Sequence, residues 1–114
     1  MQKIILTGNP ISTSHIYLSQ GKRRFMTKKA KDRKKQYQLE AKSQWKKNPL
    51  ATDTFIDIIL YFGDKRKRDW DNFHKLSMDS LEGIVLQDDA QIQEATVHKE
   101  YDKENPRIEI FIHS

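Results

Sequence analysis

The segment 52–62 limits the possible folds more than any other part of the chain. It runs Thr-Asp-Thr-Phe-Ile-Asp-Ile-Ile-Leu-Tyr-Phe and consists mostly of β-branched and aromatic residues. Alternate residues are apolar and fall on one face of an extended segment, namely Ile56, Ile58, Leu60 and Phe62. This face needs other elements to cover it, so the segment predicts a strand near the centre of a sheet.

Similar patterns predict the other elements. Three more strands are expected from their β-branched and aromatic content, at residues 3–7, 94–101 and 107–112. Two helices are expected from apolar residues at helical spacing, at residues 27–47 and 69–81. The order β-α-β-α-β-β predicts an α+β fold, a mixed sheet with helices packed on it. The length of 114 residues allows one domain, residues 1–114.

Several residues define the ends and faces of these elements. Thr27 is a predicted N-cap of the first helix, and the second helix should end before Gly83. Residues 11–26 are expected to be irregular with a turn at Gly21. The last two strands should form a hairpin through Asn105-Pro106. The first helix should turn one apolar stripe to the core: Ala30, Tyr37, Ala41 and Trp45.

Composition excludes several classes of protein. The chain has no cysteine, which excludes disulfides, zinc fingers, iron–sulfur clusters and thiol nucleophiles. No apolar run approaches the roughly 20 residues that a membrane-spanning helix needs. The first residues lack the long apolar stretch and the cleavage site of a signal peptide. We therefore expect a cytoplasmic protein without a membrane partner.

Positive charge is concentrated in two parts of the chain. The formal net charge is +5, yet residues 22–47 alone hold 12 basic and 2 acidic residues. A second basic run, residues 65–68, directly precedes Asp69. Two such runs, one beside carboxylates, favour a phosphate-rich polymer as partner over a merely solvated face. The candidate DNA contacts are Lys22, Arg23, Arg24, Lys28, Lys29, Lys65, Arg66, Lys67 and Arg68.

Acidic residues between positions 69 and 91 suggest a metal site. Asp69 and Asp71 lie at the start of the second predicted helix, where the positive end of the helix dipole favours anions. Asp88 and Asp89 follow Gly83 and a short loop, and so can fold back towards that start. Carboxylates about 4 Å apart repel by roughly 4 kcal/mol at an effective dielectric of 20. A hard divalent cation offsets this repulsion, and oxygen ligands suit magnesium or manganese.

The carboxylates and the basic runs together predict metal-dependent phosphodiester hydrolysis. Bound ions would activate a water and stabilise the scissile phosphate, while basic side chains hold the flanking backbone. Lys75 could stabilise the transition state or the leaving oxygen, or orient the water. His74 should make a minor contact and not ligate metal. For the helix alone, the alternative is a solvated acidic face with an Asp71–Lys75 ion pair, with Asp69 as an N-cap only.

The spacing of these residues resembles that of a known family. Residues 65–72 run Lys-Arg-Lys-Arg-Asp-Trp-Asp-Asn, and Lys75 follows four residues after Asp71. The remaining motif positions are Asp79, Leu81, Gly83 and Asp88-Asp89-Ala90-Gln91. The pattern resembles the RusA family of Holliday junction resolvases, as do the order of elements and Pro10 followed by Tyr17. Ser12-Thr13-Ser14 stand where that family often shows an asparagine.

The resemblance implies a specific activity and specific residues. It implies a homodimeric, magnesium-dependent endodeoxyribonuclease of DNA recombination and repair that nicks two opposed strands of a four-way junction. Mn²⁺ is expected to replace Mg²⁺. The implied host is a bacterium, a prophage or a phage. The implied catalytic residues are Asp69, Asp71, Lys75 and Asp89, and the implied metal ligands are Asp69, Asp71, Asp88 and Asp89.

Other functions stay open at this point. The basic helix 27–47 could bind DNA or RNA in a protein without catalytic activity. A metal-dependent nuclease could instead act on flaps or structured RNA. A structural or inhibitory protein of a mobile element, with a decayed active site, is a third interpretation, and the intact spacing of Asp69, Asp71, Lys75 and Asp89 argues against it.

Overall fold

The computed structural model describes residues 2–114. The strands within them are β1 (Gln2–Thr7), β2 (Tyr17–Gln20), β3 (Arg23–Met26), β4 (Thr54–Phe62), β5 (Ile92–Tyr101) and β6 (Arg107–His113). The helices are α1 (Lys28–Gln44), α2 (Lys75–Leu81) and two short 3₁₀ helices, Thr13–His15 and Asp89–Gln91. No helix within residues 2–114 is both long and apolar enough to cross a membrane. The predicted α+β class and element order are confirmed, with one hairpin added.

Four strands form a mixed sheet in the order β1-β6-β4-β5. β4 is parallel to β5 and antiparallel to β6, and β1 is antiparallel to β6. The predicted interior position of β4 is therefore confirmed. On the covered face, β4 and β6 pair apolar residues: Ile56 with Ile112, Ile58 with Ile110, and Leu60 with Ile108. All six of these side chains are buried, so this face forms the centre of the core.

The last two strands do not form the expected hairpin, because β4 lies between β5 and β6 and pairs with both. β4 and β6 each bury an alternating apolar face, whereas β5 adds only the partly buried Ile92 and Val97 to the core. Pairing the two apolar strands buries more apolar surface, so β5 takes the edge of the sheet. Residues 102–106 cross the end of β4, where Asp102 N donates to Phe62 O at 2.9 Å.

Helix α1 packs against the sheet and covers the free edge of β1. Its predicted N-cap is confirmed, since Thr27 Oγ1 accepts a hydrogen bond from Ala30 N at 3.2 Å. Gln44 Oε1 accepts from Ile5 N, and Gln44 Nε2 donates to Ile5 O, both at 2.8 Å. These bonds satisfy backbone groups that an edge strand would otherwise leave open. The predicted apolar stripe is buried: Ala30, Tyr37, Ala41 and Trp45.

Strands β2 and β3 form a separate hairpin in the segment that the sequence predicts to be irregular. The turn does lie at Gly21, whose φ of +61° suits glycine. Within the hairpin only Tyr17 and Met26 are partly buried. The apolar alternation that would predict these short strands is therefore missing from the sequence. The hairpin presents Arg23 and Arg24, two of the candidate DNA contacts.

Helix α2 begins at Lys75 and not at Asp69, so the predicted helix start is wrong. The Asn72 carbonyl accepts hydrogen bonds from Thr13 N and Thr13 Oγ1, at 2.7 and 2.9 Å. That carbonyl is therefore directed to Thr13 instead of to a helical N–H. The N-cap position falls on His74, whose side chain makes no capping bond. The predicted end of the helix before Gly83 is confirmed, with a glycine φ of +81°.

Candidate active site

The loop 69–74 carries two of the candidate aspartates between β4 and α2. Asp69 and Asp71 are both exposed on it. Thr13 anchors the middle of the loop through its two hydrogen bonds to Asn72 O. Asn72 Nδ2 in turn donates to Asp69 Oδ2 at 3.3 Å. The serine- and threonine-rich stretch near the N-terminus therefore positions the backbone of the aspartate loop.

His74 closes this loop directly before α2. Its Nδ1 is buried, and no group within residues 2–114 forms a hydrogen bond with it. Burial lowers the pKa of the His74 ring, so the ring is neutral near pH 7. Its minor contact with a substrate stays a prediction.

Lys75 begins α2 and pairs along the helix with Asp79. Lys75 Nζ lies 3.2 Å from Asp79 Oδ2, and this hydrogen bond raises the pKa of Lys75. The ammonium group is therefore positive at neutral pH. The alternative Asp71–Lys75 ion pair does not occur among the described residues. Tyr17 and Arg24 of the hairpin lie close enough to influence the pKa of Lys75, so the hairpin faces the start of α2.

Three carboxylates meet just after the end of α2. Glu82, Asp88 and Asp89 each place an oxygen within 4.8 Å of the others, and all three residues are exposed. Asp88 caps the following 3₁₀ helix by accepting from Ala90 N at 2.9 Å, and Asp89 N donates to Glu82 Oε1 at 3.0 Å. Hydrogen bonding to Asp88 and then the charge of Glu82 raise the pKa of Asp89. Negative charge is crowded here, and a divalent cation would relieve the repulsion.

The basic run 65–68 lies beside Asp64, which neutralises part of it. Arg68 Nη1 is 2.8 Å from Asp64 Oδ1, and Arg66 Nη2 is 3.7 Å from Asp64 Oδ2. The hydrogen bond from Arg68 lowers the pKa of Asp64 to about 2. The two lysines of the run are exposed and form no ion pair within residues 2–114. They remain available to a polyanion.

The chain as a whole matches a known family of nucleases. A family model of the endodeoxyribonuclease RusA matches residues 7–113. The chain belongs to the RusA endodeoxyribonuclease family. This match covers nearly the whole chain and confirms the resemblance that the motif between Lys65 and Gln91 indicates. A search of curated proteins gives no significant match.

In this RusA-family chain the candidate residues do not form one compact group. The structure brings Asp88 and Asp89 together with Glu82, but no described group of three metal-ligating side chains includes Asp69 or Asp71. Lys75 is the first residue of α2 and Glu82 follows its last residue, and the seven residues of this helix span roughly 10 Å. Glu82 was not among the candidate ligands, although the helical spacing continued one residue beyond Leu81 places it on the same face as Asp71.

Gln91, the last residue of the RusA-type motif, has a positioning role that sequence reasoning missed. Its Nε2 donates to Leu50 O, Thr52 O and Thr54 Oγ1, at 2.8, 3.0 and 3.1 Å. Its Oε1 accepts from Asp88 N at 3.1 Å. A single amide therefore joins the acidic turn to the start of β4. The spacing of Asp88 and Gln91 is that of a capping box, but the sequence offers no signal for the bonds to Leu50, Thr52 and Thr54, which lie about 40 residues away.

We expect Gln91→Met to lower the free energy of unfolding by about 1–3 kcal/mol, because partly buried donors and acceptors lose their partners. It should also slow cutting, since the Asp88–Asp89 turn loses its attachment to β4. Gln93→Met is the matched control, because Gln93 is exposed and makes one long bond to Asp53, at 3.3 Å. Urea denaturation and a nicking assay measure both effects. Equal losses in the two variants would contradict the role of Gln91.

Proposed function

We propose that this chain is a Mg²⁺-dependent, structure-selective endodeoxyribonuclease that resolves Holliday junctions by paired symmetric nicks. The observation that carries this proposal is the RusA family match over residues 7–113. The proposal includes a role in DNA recombination and repair in the cytoplasm of a bacterial host, for a protein encoded by the bacterium, a prophage or a phage. We expect Mn²⁺ to replace Mg²⁺.

The available side chains suit this metal. The sequence has no cysteine, and hard divalent cations prefer the oxygen ligands that carboxylates supply. The raised pKa of Asp89 indicates that negative charge is crowded at this point of the chain. We assign the ligand role to Asp69, Asp71, Asp88 and Asp89. When bound, Mg²⁺ would activate a water and stabilise charge on the scissile phosphate.

Asp69 and Asp71 have to approach Asp89 if the three are to share one ion. Both side chains are exposed, and neither forms an ion pair within residues 2–114. No ion pair has to break for them to turn towards the acidic turn. We therefore propose that the loop ahead of Asn72 rearranges, while the bonds from Thr13 keep Asn72 in place.

Lys75 supplies positive charge near the proposed reaction centre. Its pair with Asp79 keeps it protonated and directs it along α2. In this position it can stabilise negative charge that develops on a non-bridging or leaving oxygen. The candidate DNA contacts of the hairpin, the start of α1 and the run 65–68 would hold the flanking phosphates.

The proposed function includes a homodimer. Within residues 2–114 the chain contains one cluster of three side chains that could together hold a metal ion, Glu82 with Asp88 and Asp89. Two cuts related by the symmetry of a four-way junction require two equivalent sites, and a twofold dimer supplies them.

The decisive experiment is nicking of a synthetic four-way junction with and without Mg²⁺. Symmetric nicks that appear only with the metal support the proposal. Flap, duplex and structured-RNA substrates of matched length are tested alongside. Preferred cutting of a flap or of RNA would favour a nuclease of other specificity, and binding without cutting would favour a nucleic-acid-binding protein.

The pH dependence of cutting tests the role of Asp89. At subsaturating Mg²⁺, protonation of Asp89 competes with metal binding, so cutting should fall as the pH falls. Because the pKa of Asp89 is raised, this fall should begin at a higher pH than for an ordinary aspartate. Glu82→Gln removes a neighbouring charge, lowers the pKa of Asp89 and should move the fall to lower pH. Glu94→Gln, at an exposed position on β5, is the control and should leave the profile unchanged.

A further inference from the structure

A cavity of about 470 Å³ lies between the N-terminal loop, the start of α1 and the basic run 65–68. Its basic lining residues are Lys29, Arg33, Arg66, Lys67 and Arg68. We infer that this cavity binds a backbone phosphate of the DNA strand that enters the active site. The inference rests on the proposed function and adds a specific contact that fixes the position of the strand.

The charge of the cavity lining is strongly unbalanced. Asp64 is its one acidic residue, and it pairs with Arg66 and Arg68. Lys29, Arg33 and Lys67 also line the cavity. Within residues 2–114, these three form no ion pair. A concave surface with uncompensated positive charge concentrates the field and attracts anions. The anion that a nuclease substrate offers at every nucleotide is the backbone phosphate.

Arg33 is held in position before any ligand binds. Its Nη1 donates to Asn9 O at 2.5 Å and to Tyr37 Oη at 3.2 Å. Its guanidinium also packs against Gly8, where a Cβ would lie 3.0 Å from Nη1. Asn9 Oδ1 accepts from Gly63 N at 2.9 Å, which fixes the loop that carries Asn9. Both hydrogen bonds of the Arg33 side chain within residues 2–114 come from Nη1, so its Nε and Nη2 donors have no partner there. An arginine fork suits phosphate oxygens.

The cavity adjoins the aspartate loop. Phe73 belongs to its lining, and Arg68 directly precedes Asp69. The wall formed by residues 9–15 is joined to the same loop, because Thr13 donates two hydrogen bonds to Asn72 O. A phosphate in the cavity would therefore lie next to the loop that carries Asp69 and Asp71, where the proposed function places the DNA strand to be cut. This position favours a phosphate of the DNA backbone over a free phosphate ion as the occupant.

The test compares two double variants that each remove two positive charges. Lys29→Ala/Lys67→Ala removes two exposed lysines of the cavity, neither of which forms a hydrogen bond or an ion pair within residues 2–114. Lys42→Ala/Lys103→Ala is the matched control. Lys42 and Lys103 are also exposed, and Lys42 lies roughly 20 Å along α1 from Lys29. Binding of a fluorescent four-way junction is measured in Ca²⁺ over a range of salt concentrations.

We expect the cavity variant to bind at least about tenfold more weakly at moderate salt, and its slope of log affinity against log salt to fall by about one. The control should change the affinity by less than about twofold, because exposed lysines outside the contact surface act only through long-range, screened charge. Arg33→Lys should give an intermediate loss, since it keeps the charge but loses the fork. Equal affinities and slopes in the two double variants would overturn the inference.

Further measurements separate this inference from the proposed function. If the unmodified protein binds junctions without cutting any nucleic acid, the nuclease proposal fails and the cavity is still judged by the two variants. If it binds no junction, duplex or single strand, both proposals fail. Inorganic phosphate, added at constant ionic strength, tests whether a free phosphate ion occupies the cavity instead of the DNA backbone. A rise in melting temperature with phosphate, lost in the cavity variant and combined with unchanged DNA affinity, would overturn the assignment to the DNA strand.

Discussion

Asp69→Asn, Asp71→Asn and Asp89→Asn should each reduce junction cutting by about a hundredfold or more, while junction binding stays intact. Asparagine keeps the size of the side chain but removes the charged oxygen that a divalent cation requires. Metal stabilisation of the transition state is worth several kcal/mol, and each 1.4 kcal/mol corresponds to a factor of ten in rate. Removing a negative charge near a polyanion should, if anything, strengthen binding.

The matched control for these variants is Asp53→Asn. Asp53 is exposed, and its hydrogen bond from Gln93 Nε2 can persist with asparagine. Cutting rates are measured at saturating enzyme, binding in Ca²⁺, and folding by thermal denaturation. Cutting that is unchanged in all three variants would contradict the assignment of the metal ligands. Loss in Asp89→Asn alone would restrict the metal site to the group of Asp89, Asp88 and Glu82.

The sequence predicted the central part of the fold because that part depends on local patterns. Alternating apolar residues in β4 and β6 correspond to the buried face of the sheet, and the stripe of α1 corresponds to its packed side. The order of β5 and β6 in the sheet could not be derived in this way. It depends on which strand can bury more apolar surface against β4, and that is a comparison between distant segments.

The sequence proposes the residue types of the candidate site but not its geometry. Carboxylates near a basic run indicated metal and phosphate chemistry, and the match to an endodeoxyribonuclease family over residues 7–113 agrees with the phosphate chemistry. The start of α2 was predicted wrongly because Thr13, some 60 residues away in sequence, takes the Asn72 carbonyl. Helix propensity and helical spacing depend on neighbouring residues, so they carry no information about such tertiary hydrogen bonds. The bonds from Gln91 to Leu50, Thr52 and Thr54 are of the same kind and emerged only from the structure. Glu82 was missed although it is only six residues from Asp88 in the sequence.

Removal of divalent metal should abolish cutting but leave junction binding. In excess chelator the carboxylates keep their mutual repulsion and lack the ion that would activate water, so no nicks are expected. Mg²⁺ or Mn²⁺ should restore the activity, whereas Ca²⁺ should support binding without efficient cutting. Robust cutting in excess chelator would contradict a metal-dependent mechanism. Because the DNA contacts are mainly to phosphates, binding should weaken steeply with salt in every one of these conditions.

Metal binding can also be measured without any substrate, which separates a missing ion from a defect in catalysis. An ion that binds only the folded chain stabilises it by about 1.4 kcal/mol at ten times its dissociation constant. Mg²⁺, Mn²⁺ and Ca²⁺ should therefore all raise the melting temperature of the unmodified protein. Asp89→Asn should reduce this rise, and Asp53→Asn should not. If the metals stabilise both variants equally, the ion binds elsewhere in the protein. The negative charge at Glu82, Asp88 and Asp89 would then be neutralised by another positive group, such as a side chain of a second subunit.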